Sequence, residues 1–372
     1  ALRAAGVPAA DIVACDRPDA AARALGQGRA VATGDPLLAA RTPGVHVLMD
    51  AAGELELGAG LAAEAIDHGV HVVAANIETQ ATVGVALRRR ADRAGVVYSD
   101  IAGDEPGMLA EMHDWCRALG FTPVLAGNCK GVMKRHATPE TQAAFAAQYG
   151  LKPWLATAAA DGTKLNLEMA AVANATGMPP ARRGMTGIAT SLDGLLPDLE
   201  AAGLLGRGPV VEYVMGIGNG VFMVVRADDD PGAATELAYL KMGDGPHYVL
   251  YRPNVMIHFE APLSAARAVL YGAPTITPRP EATAEVVAVA KRDLPAGHRV
   301  DGIGGFDVYG EVERADVARA DGMVPVGLAR RARLVRPVRA GDVVRLAEAE
   351  IVEEDLVTRL RAEQDRPAGG PA

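Results

Sequence analysis

The sequence predicts an α/β protein with a Rossmann-type parallel sheet domain, a second α/β domain and a small β-rich domain. Short apolar runs alternate with helical segments from about residue 10 to 128, as in parallel sheets with crossover helices. A proline-rich stretch from about 275 to 284 reads as a linker. Beyond it the helical periodicity gives way to short strand-like runs.

Composition narrows the classes of function. The chain has 372 residues, 49% of them hydrophobic, and a formal net charge of −9, which argues against a nucleic-acid partner. Cys15, Cys116 and Cys129 are scattered and form no Cys-x-x-Cys, so we expect a reducing compartment and no zinc site. No apolar run is long enough to span a bilayer. We therefore expect a cytoplasmic protein with no membrane partner.

The first part of the chain offers a regular series of elements. The predicted helices cover 55–68, 79–94 and 105–119. The predicted strands cover 12–15, 45–49, 70–74, 96–99 and 123–126. Because parallel sheets bind ligands at the carboxyl ends of their strands, the polar segments 50–53, 76–78 and 100–104 are candidates for a binding edge.

A dinucleotide-binding domain should open with a strand and a Gly-x-Gly-x-x-Gly turn, and the sequence shows neither. Residues 1–6 resemble the end of a helix, so we expect the first strand and its glycine turn to lie upstream. Residues 216–220 are rich in glycine, but strand-like runs flank them, which favours a hairpin turn over a phosphate cradle. Asp16 follows the first visible strand, where an acid can bind an adenosine ribose, and Arg17 leaves the 2′-phosphate form open. A plain turn is the alternative.

Residues 161–177 predict a helix with charged groups in unusual places. Asp161 or Thr163 can cap its start, and Gly177 can end it. Lys164 and Glu168 are four residues apart and share one face, and a lysine in the first turn opposes the helix dipole. Stability alone would not choose this arrangement, and it suits proton transfer to a carbonyl or hydroxyl. A capped helix with one surface ion pair is the alternative.

Other basic residues could hold an anionic group. Lys130, Lys134 and His136 follow the last predicted strand of the sheet, where they either bind a phosphate or carboxylate or form solvated surface. Lys241 lies in a glycine-rich stretch that is either a substrate loop or a tight turn. The segment 353–372 reads as a tail, disordered after about residue 365.

Several motifs, taken in order, resemble the homoserine-dehydrogenase-like oxidoreductases that carry a C-terminal SAF (antifreeze-like) domain, and among them the deoxyxylulose-phosphate-reductoisomerase-like branch. They cover nearly the whole chain. The motifs are Asp50-Ala51-Ala52-Gly53, His71-Val72-Val73, Asn76-Ile77-Glu78, Gly103-Asp104-Glu105-Pro106-Gly107, Asp161-Gly162-Thr163-Lys164, Glu168-Met169, Lys241-Met242-Gly243-Asp244-Gly245-Pro246, Tyr251-Arg252-Pro253 and Ala290-Lys291-Arg292-Asp293-Leu294.

The resemblance implies a dinucleotide-binding domain over 1–128, completed by about 247–272. It also implies a catalytic and oligomerisation domain over 129–246, a SAF domain over 285–352 and a homo-oligomer. The implied chemistry is hydride transfer from NADP or NAD to a small carbonyl substrate, preceded in the reductoisomerase branch by a rearrangement of the carbon skeleton. Ile77 and Glu78 stand near the place where homoserine dehydrogenases carry a second lysine, so we do not expect homoserine as the substrate.

The expected site follows from these groups. We expect the nicotinamide near Ala52, Gly53, Asn76 and Glu78. Lys164 would polarise the substrate oxygen and return its proton, with its pKa brought toward neutral by partial burial. Asp161, Glu168 or Asp104 would orient the substrate hydroxyls or a divalent cation. Lys241, with Lys130 or His136, would hold the anionic group of the substrate. A plain dehydrogenase and a non-catalytic sensor or scaffold that has lost cofactor binding are the alternatives.

Overall fold

A computed structural model of the protein describes residues 2–227 and 232–366. Parallel strands and helices make up the N-terminal part, a five-stranded sheet the central part, and antiparallel strand pairs the C-terminal part. The predicted α/β fold class is therefore confirmed. Within the described ranges, no helix is both long enough and apolar enough to cross a membrane.

The N-terminal part follows the predicted alternation of strands and helices, except that the last predicted strand, 123–126, belongs to the central sheet. Its first parallel sheet pairs β1 (Ile12–Ala14) with β2 (Ala30–Ala32). Its second holds β3 (Val47–Asp50), β4 (His71–Ala74) and β5 (Tyr98–Asp100). The sheets are separate, because no described strand joins β1 to β3. A short 3-10 turn, Ala9–Asp11, precedes them, and the helices are α1 (Pro18–Gly26), α2 (Leu38–Arg41), α3 (Leu55–Asp67), α4 (Ile77–Ala94) and α5 (Glu105–Ala118).

The helix α4 shows why these segments fold as predicted. The side chain of Asn76 accepts a hydrogen bond from the amide of Thr79, which caps the first turn. Gly95, in the left-handed conformation at φ 71°, ends the helix. Val83 and Leu87 lie four residues apart and are fully buried. The helix thus buries one continuous face between a capping residue at its start and a glycine at its end.

The central sheet has the strand order β10-β9-β6-β8-β7. Its strands are β6 (Thr122–Lys130), β7 (Ile188–Ala189), β8 (Val210–Met215), β9 (Val221–Arg226) and β10 (His247–Arg252). The accompanying helices are α6 (Ala143–Tyr149), α7 (Pro153–Asp161), α8 (Thr163–Thr176), α9 (Leu195–Ala201), α10 (Ala233–Tyr239) and α11 (Ile257–Tyr271). Of these, α11 packs against the N-terminal strands β3 and β4.

The predicted hairpin at residues 216–220 is wrong. β8 and β9 are not neighbours, because β6 lies between them, pairing in parallel with β8 and antiparallel with β9. The glycine-rich segment instead crosses the carboxyl end of β6, where the amide of Cys129 donates to the carbonyl of Gly220 at 2.9 Å. Two adjacent strand-like runs cannot reveal a third strand that comes from earlier in the chain.

The C-terminal part packs directly on the central helix α8. The strand pairs are β11 (Ala284–Ala290) with β12 (Val308–Arg314), and β13 (Ala332–Leu334) with β14 (Ala349–Ile351). The remaining elements are α12 (Ala315–Ala320), a 3-10 helix (Val326–Arg331) and α13 (Leu356–Gln364). Part of the predicted tail is thus the helix α13, whose Val357 and Leu360 are buried; residues 367–372 lie outside the described residues.

Candidate active site

The candidate site lies where α5, α8 and β6 meet. Helix α8 begins after Gly162, at φ 90°, which takes the N-cap position predicted for Asp161 or Thr163, and it ends at Gly177, at φ 80°, as predicted. Leu165, Met169 and Val172 are fully buried. Because that face is fixed by packing, Lys164 and Glu168, which lie directly beside it on the helix, are held in a defined position.

Lys164 and Glu168 form the ion pair that their spacing predicts. The Lys164 Nζ lies 2.8 Å from a carboxylate oxygen of Glu168, and their side chains are 35% and 2% exposed. Within the described ranges the Lys164 ammonium makes no other hydrogen bond or ion pair. An ammonium has three N–H donors, so two of them are open to a ligand that arrives from solvent.

Two further carboxylates join this pair. Asp104 precedes α5 and Glu105 is its first residue, and each of them offers an oxygen within 4.8 Å of the other and of a Glu168 oxygen. From β6, the side-chain amide of Asn128 donates to Glu168 Oε2 at 3.2 Å. We call Asp104, Glu105, Glu168 and Lys164 the acidic cluster.

The charge on Lys164 is fixed by these neighbours. The carboxylate of Glu168 raises the pKa of Lys164 well above its usual value; burial acts in the opposite direction, and Asp104 and Glu105 add to the rise. The expectation that partial burial brings this pKa toward neutral is therefore wrong. Lys164 stays a cation, which suits a proton donor and a polariser of a substrate oxygen.

Glu105 is the group of the cluster that titrates near neutral pH. Burial raises the pKa of Glu105 to about 7, and the hydrogen bond and the charge of Asp104 contribute to the rise, while Lys164 lowers it. Burial also raises the pKa of Glu168, against the effect of Lys164. The cluster can therefore take up or release a proton around pH 7.

Of the basic residues predicted to hold an anion, Lys130 lies beside the cluster. It is the last residue of β6 and lies on the same face of the strand as Asn128, which donates to Glu168, and its charge lowers the pKa of Glu168. Lys241 is exposed in a loop, at φ 61°, and among the described residues it forms no ion pair with a member of the cluster. His136 lies elsewhere, with its ring nitrogen 3.2 Å from the carbonyl of Lys291.

Asp161 does not join Lys164, although the sequence predicts that the two act together. Its Oδ1 accepts the amide of Thr163 at 2.8 Å, and its Oδ2 lies 2.8 Å from Lys291 Nζ. Both side chains of this second pair are almost completely buried. The turn at Gly162 separates α7 from α8, so Asp161 points to the C-terminal part while Lys164 points to the cluster.

The strand ends predicted to hold a cofactor are tied together by Asp50. Its two carboxylate oxygens accept the amide of Ala52 and the side-chain amide of Asn76, both at 2.8 Å. Asn76 also donates to the carbonyl of Glu54 at 3.0 Å, so its amide is occupied by the fold. Gly53, at φ 64°, adopts the left-handed conformation that glycine allows.

Asp16 lies at the end of β1, as predicted, and its carboxylate organises the loop after β2. Its Oδ1 accepts hydrogen bonds from the hydroxyl of Thr33 at 2.6 Å and the amide of Gly34 at 3.0 Å. These two bonds lower the pKa of Asp16. The neighbouring Arg17 precedes α1 and is exposed.

Residues 103–261 match the family model described as the catalytic domain of the oxidoreductase DRL. The chain resembles an oxidoreductase. The matched range contains the whole acidic cluster together with Asn128 and Lys130, so the family match and the geometry point to the same place. The comparison with curated proteins gave no match.

Solved structures show weaker likeness. An NAD-binding oxidoreductase from Klebsiella pneumoniae is similar over 34% of this chain and 35% of its own, at 24% identity and a TM-score of 0.23. A 3-ketoreductase from Actinomadura kijaniata, KijD10, solved with NADP and TDP-benzene, is similar over 70% and 81%, at 13% identity and a TM-score of 0.31. The chain thus spans about a third of the Klebsiella protein. Both TM-scores are low, so we base the function on the site and the family match.

Sequence reasoning missed three members of this region. Glu105 belongs to one of the motifs named above but had no role, Asn128 lies inside a buried strand, and Lys291 lies in the C-terminal part. Only Glu105 carried a local signal, since an acid at the carboxyl end of a parallel strand is a candidate ligand group. The contacts of Asn128 and Lys291 are long-range.

Proposed function

We propose that the protein is an NAD(P)-dependent oxidoreductase that acts on a small anionic carbonyl or hydroxy compound at Lys164. The observation that carries this proposal is the ammonium of Lys164, which is held charged by Glu168 and partly exposed, with two donors unused in the described part of the chain. A structural lysine would have its donors filled or lie fully in solvent. The family match to an oxidoreductase catalytic domain over the same residues supports it.

The cofactor proposal rests on the strand ends. Asp16 is exposed, and the hydrogen bonds from Thr33 and Gly34 both go to its Oδ1, which leaves Oδ2 for the hydroxyls of an adenosine ribose. Gly53 has no side chain, and a Cβ placed on it would lie 3.8 Å from its nearest neighbour, a carbon of Leu155, so a flat ring could approach its backbone. These residues fit NADP or NAD, with Arg17 near the ribose. When bound, the coenzyme supplies the hydride.

The residues of the chain then have distinct tasks. Lys164 donates a hydrogen bond to the substrate oxygen and passes its proton as negative charge develops there, since an alkoxide is a far stronger base than lysine. Glu168 fixes the ammonium, and Asn128 fixes Glu168. Glu105, which titrates near neutral pH, is the group that can return a proton to the site. Lys130 is the proposed contact for the anionic group of the substrate.

A finer proposal is a reductoisomerase, in which a rearrangement of the carbon skeleton precedes the reduction. Such a reaction is aided by a divalent cation, and the oxygens of Asp104, Glu105 and Glu168 are the ligand type that Mg²⁺ or Mn²⁺ prefers. These three residues would hold the cation, which would supply charge to polarise the substrate oxygens. A homo-oligomer, the SAF assignment of residues 285–352 and a role for Lys241 stay predictions.

The test is an assay of nicotinamide absorbance with NADPH or NADH and a panel of small phosphorylated or carboxylated ketones and aldehydes. NMR of the product separates the two chemistries, because a reductoisomerase changes the carbon skeleton and a plain dehydrogenase does not. Arg88→Ala is a matched control, since Arg88 and Asp92 form another pair four residues apart, on the surface. Absence of both coenzyme binding and turnover would contradict the proposal and favour a non-catalytic sensor or scaffold.

A further inference from the structure

A cavity of about 450 Å³ lies where the three parts of the chain meet. The N-terminal part contributes the start of α3 and Glu78 of α4, and α7 contributes Trp154. The C-terminal part contributes the loop 301–306 and residues of the 3-10 helix that follows β12. A cavity of this size accommodates part of a small metabolite.

Glu78 is the unusual group in its wall. Its side chain is almost completely buried, at 4% exposure, and it makes no hydrogen bond or ion pair with another side chain in the described ranges. Burial raises the pKa of Glu78. Its own backbone amide is a partner, but a buried carboxylate can accept several hydrogen bonds, so its presence on a cavity wall indicates a further group that donates to it from the cavity.

The other acids of the cavity wall already have partners. Glu56 lies 3.0 Å from Arg331 and 3.5 Å from Arg330. Glu54 is paired with Lys152 on the surface. Asp301 accepts the amides of Phe306 at 2.5 Å and Asp307 at 3.1 Å, so its carboxylate shapes the loop 301–306. Glu78 is therefore the acid that remains available to a ligand.

The loop 301–306 is fitted closely onto α7. A Cβ at Gly304 would lie 2.1 Å from the carbonyl oxygen of Trp154, so only glycine allows the two backbones to approach in this way. Lys291 fixes the loop, since its Nζ donates to the carbonyl of Gly305 at 2.7 Å. Ile303 and Phe306 then face the cavity together with Trp154. The C-terminal part thus supplies an apolar wall.

The cavity adjoins the candidate active site. A Cβ placed on Gly310 would lie 3.0 Å from a carbon of Thr163, the residue before Lys164, and 3.4 Å from a carbon of Val326 in the cavity wall, and helix α4, whose first turn holds Glu78, packs against α8. A ligand could therefore contact Lys164 at one end and Glu78 further along.

We propose that Glu78 and the loop 301–306 form the substrate-selecting pocket, which takes a hydroxylated carbon chain while the reacting oxygen lies at Lys164. Resting on the proposed function, this inference gives the C-terminal part a direct role in specificity. Hydroxyl groups would donate to Glu78, and the carbon chain would lie against Trp154, Ile303 and Phe306. The anionic end of the substrate is excluded here by the charge of Glu78 and belongs beside Lys130.

The test compares the binding of two acids of equal chain length, erythronate and butyrate, by isothermal titration calorimetry. The parent protein should bind erythronate more tightly than butyrate by about tenfold to a hundredfold, the range for buried hydrogen bonds to a charged acceptor. Glu78→Leu should remove this preference. Ile303→Trp should weaken erythronate binding about tenfold by filling the cavity. Val335→Trp, on an exposed position of the C-terminal part, is the matched control.

The same titrations on Lys164→Ala separate this inference from the proposed function. Erythronate preference that persists in Lys164→Ala and vanishes in Glu78→Leu supports the pocket, whatever the role of Lys164 in turnover. No erythronate preference in the parent protein would overturn the inference. So would a preference that survives unchanged in Glu78→Leu, provided that circular dichroism shows this variant to be folded.

Discussion

Two lysine–carboxylate pairs meet the chain on either side of the turn at Gly162. They have the same nitrogen–oxygen distance, but they differ in exposure to solvent and in the hydrogen bonds that the lysine makes. Lys164–Glu168 and Lys291–Asp161 both have a nitrogen–oxygen distance of 2.8 Å. The Lys164 side chain is 35% exposed, whereas that of Lys291 is 3% exposed. Lys291 also donates to the carbonyls of Ala137 and Gly305, at 2.8 and 2.7 Å, so all three of its donors are used.

The difference shows that the distance within an ion pair does not reveal its function. A lysine whose three donors are filled inside the protein holds parts of the chain together, and Lys291 joins the C-terminal part to α7 in this way. A lysine with two open donors and a path to solvent can act on a ligand. We therefore assign the chemistry to Lys164 and leave Asp161 out of the proposed mechanism.

The largest expected effect is on turnover in Lys164→Ala. Loss of the proton donor should lower turnover by about a hundredfold to ten-thousandfold. Lys164→Arg should not restore it, because a guanidinium does not release its proton near neutral pH. The unfolding free energy of Lys164→Ala should fall by only about 1 kcal/mol, because Glu168 still has Asn128 and Lys130 beside it and can take up a proton. Steady-state kinetics and urea unfolding give both values; near-parent turnover in Lys164→Ala would make the pair structural.

Lys291→Met should show the opposite pattern. Removing the ammonium leaves Asp161 buried without its counter-ion, so the unfolding free energy should fall by about 3–5 kcal/mol. Burial already raises the pKa of Asp161, and the loss of Lys291 raises it further, so the carboxyl of the variant is protonated more readily. This loss of unfolding free energy should be smaller at lower pH, because protonation of Asp161 favours the folded variant. Adding Asp161→Asn to Lys291→Met should recover part of the lost stability. A loss that does not depend on pH would contradict the structural role assigned to Lys291.

Glu105→Gln tests the acidic cluster through pH. The pKa of Glu105 is raised from 4.5 to about 7 in the folded protein, so the group stabilises the fold below pH 4.5. That contribution, about 3 kcal/mol at most, is lost as pH rises through 7. The variant should lack this part of the pH dependence in urea unfolding from about pH 4 to 8. Glu350→Gln, on the surface, is the control; equal profiles for Glu105→Gln and the parent would contradict the raised pKa.

The smallest expected effect comes from a divalent cation. If Asp104, Glu105 and Glu168 hold Mn²⁺, the metal should stabilise the folded protein by about 1.4 kcal/mol when free Mn²⁺ is about ten times its Kd. The measurement is the melting temperature at about pH 8, above the pKa of Glu105, with rising Mn²⁺. Glu168→Gln should reduce the shift and Lys291→Met should retain it. An equal shift in Glu168→Gln and the parent would place the metal elsewhere.

The sequence predicts the structure best where the signals are local. The end of α8 follows from Gly177 and its buried face from Leu165, Met169 and Val172, and the pairing of Lys164 with Glu168 follows from helix geometry. The parallel strands and helices of the N-terminal part are predicted for the same reason, since each apolar run and its stop signals are contiguous.

The sequence fails where a distant segment decides the outcome. Asp161 pairs with Lys291 because the left-handed turn at Gly162 directs it away from α8 and the C-terminal part packs against it. Residues 216–220 cross an inserted strand and form no hairpin. The pKa of Lys164 was predicted in the wrong direction, because the charge of Glu168, four residues along the same helix, outweighs burial, and Asp104 and Glu105, which are distant in sequence, add to the rise.

The most direct test of the central claim is chemical rescue of Lys164→Ala by small primary amines. Methylamine or ethylamine can enter a site whose lysine was partly exposed and can replace its ammonium. The account predicts that turnover recovers in a saturable way with amine concentration, whereas Lys291→Met gains nothing from either amine. A folded Lys164→Ala protein that has lost turnover and shows no recovery, or that turns over like the parent without amine, would contradict it.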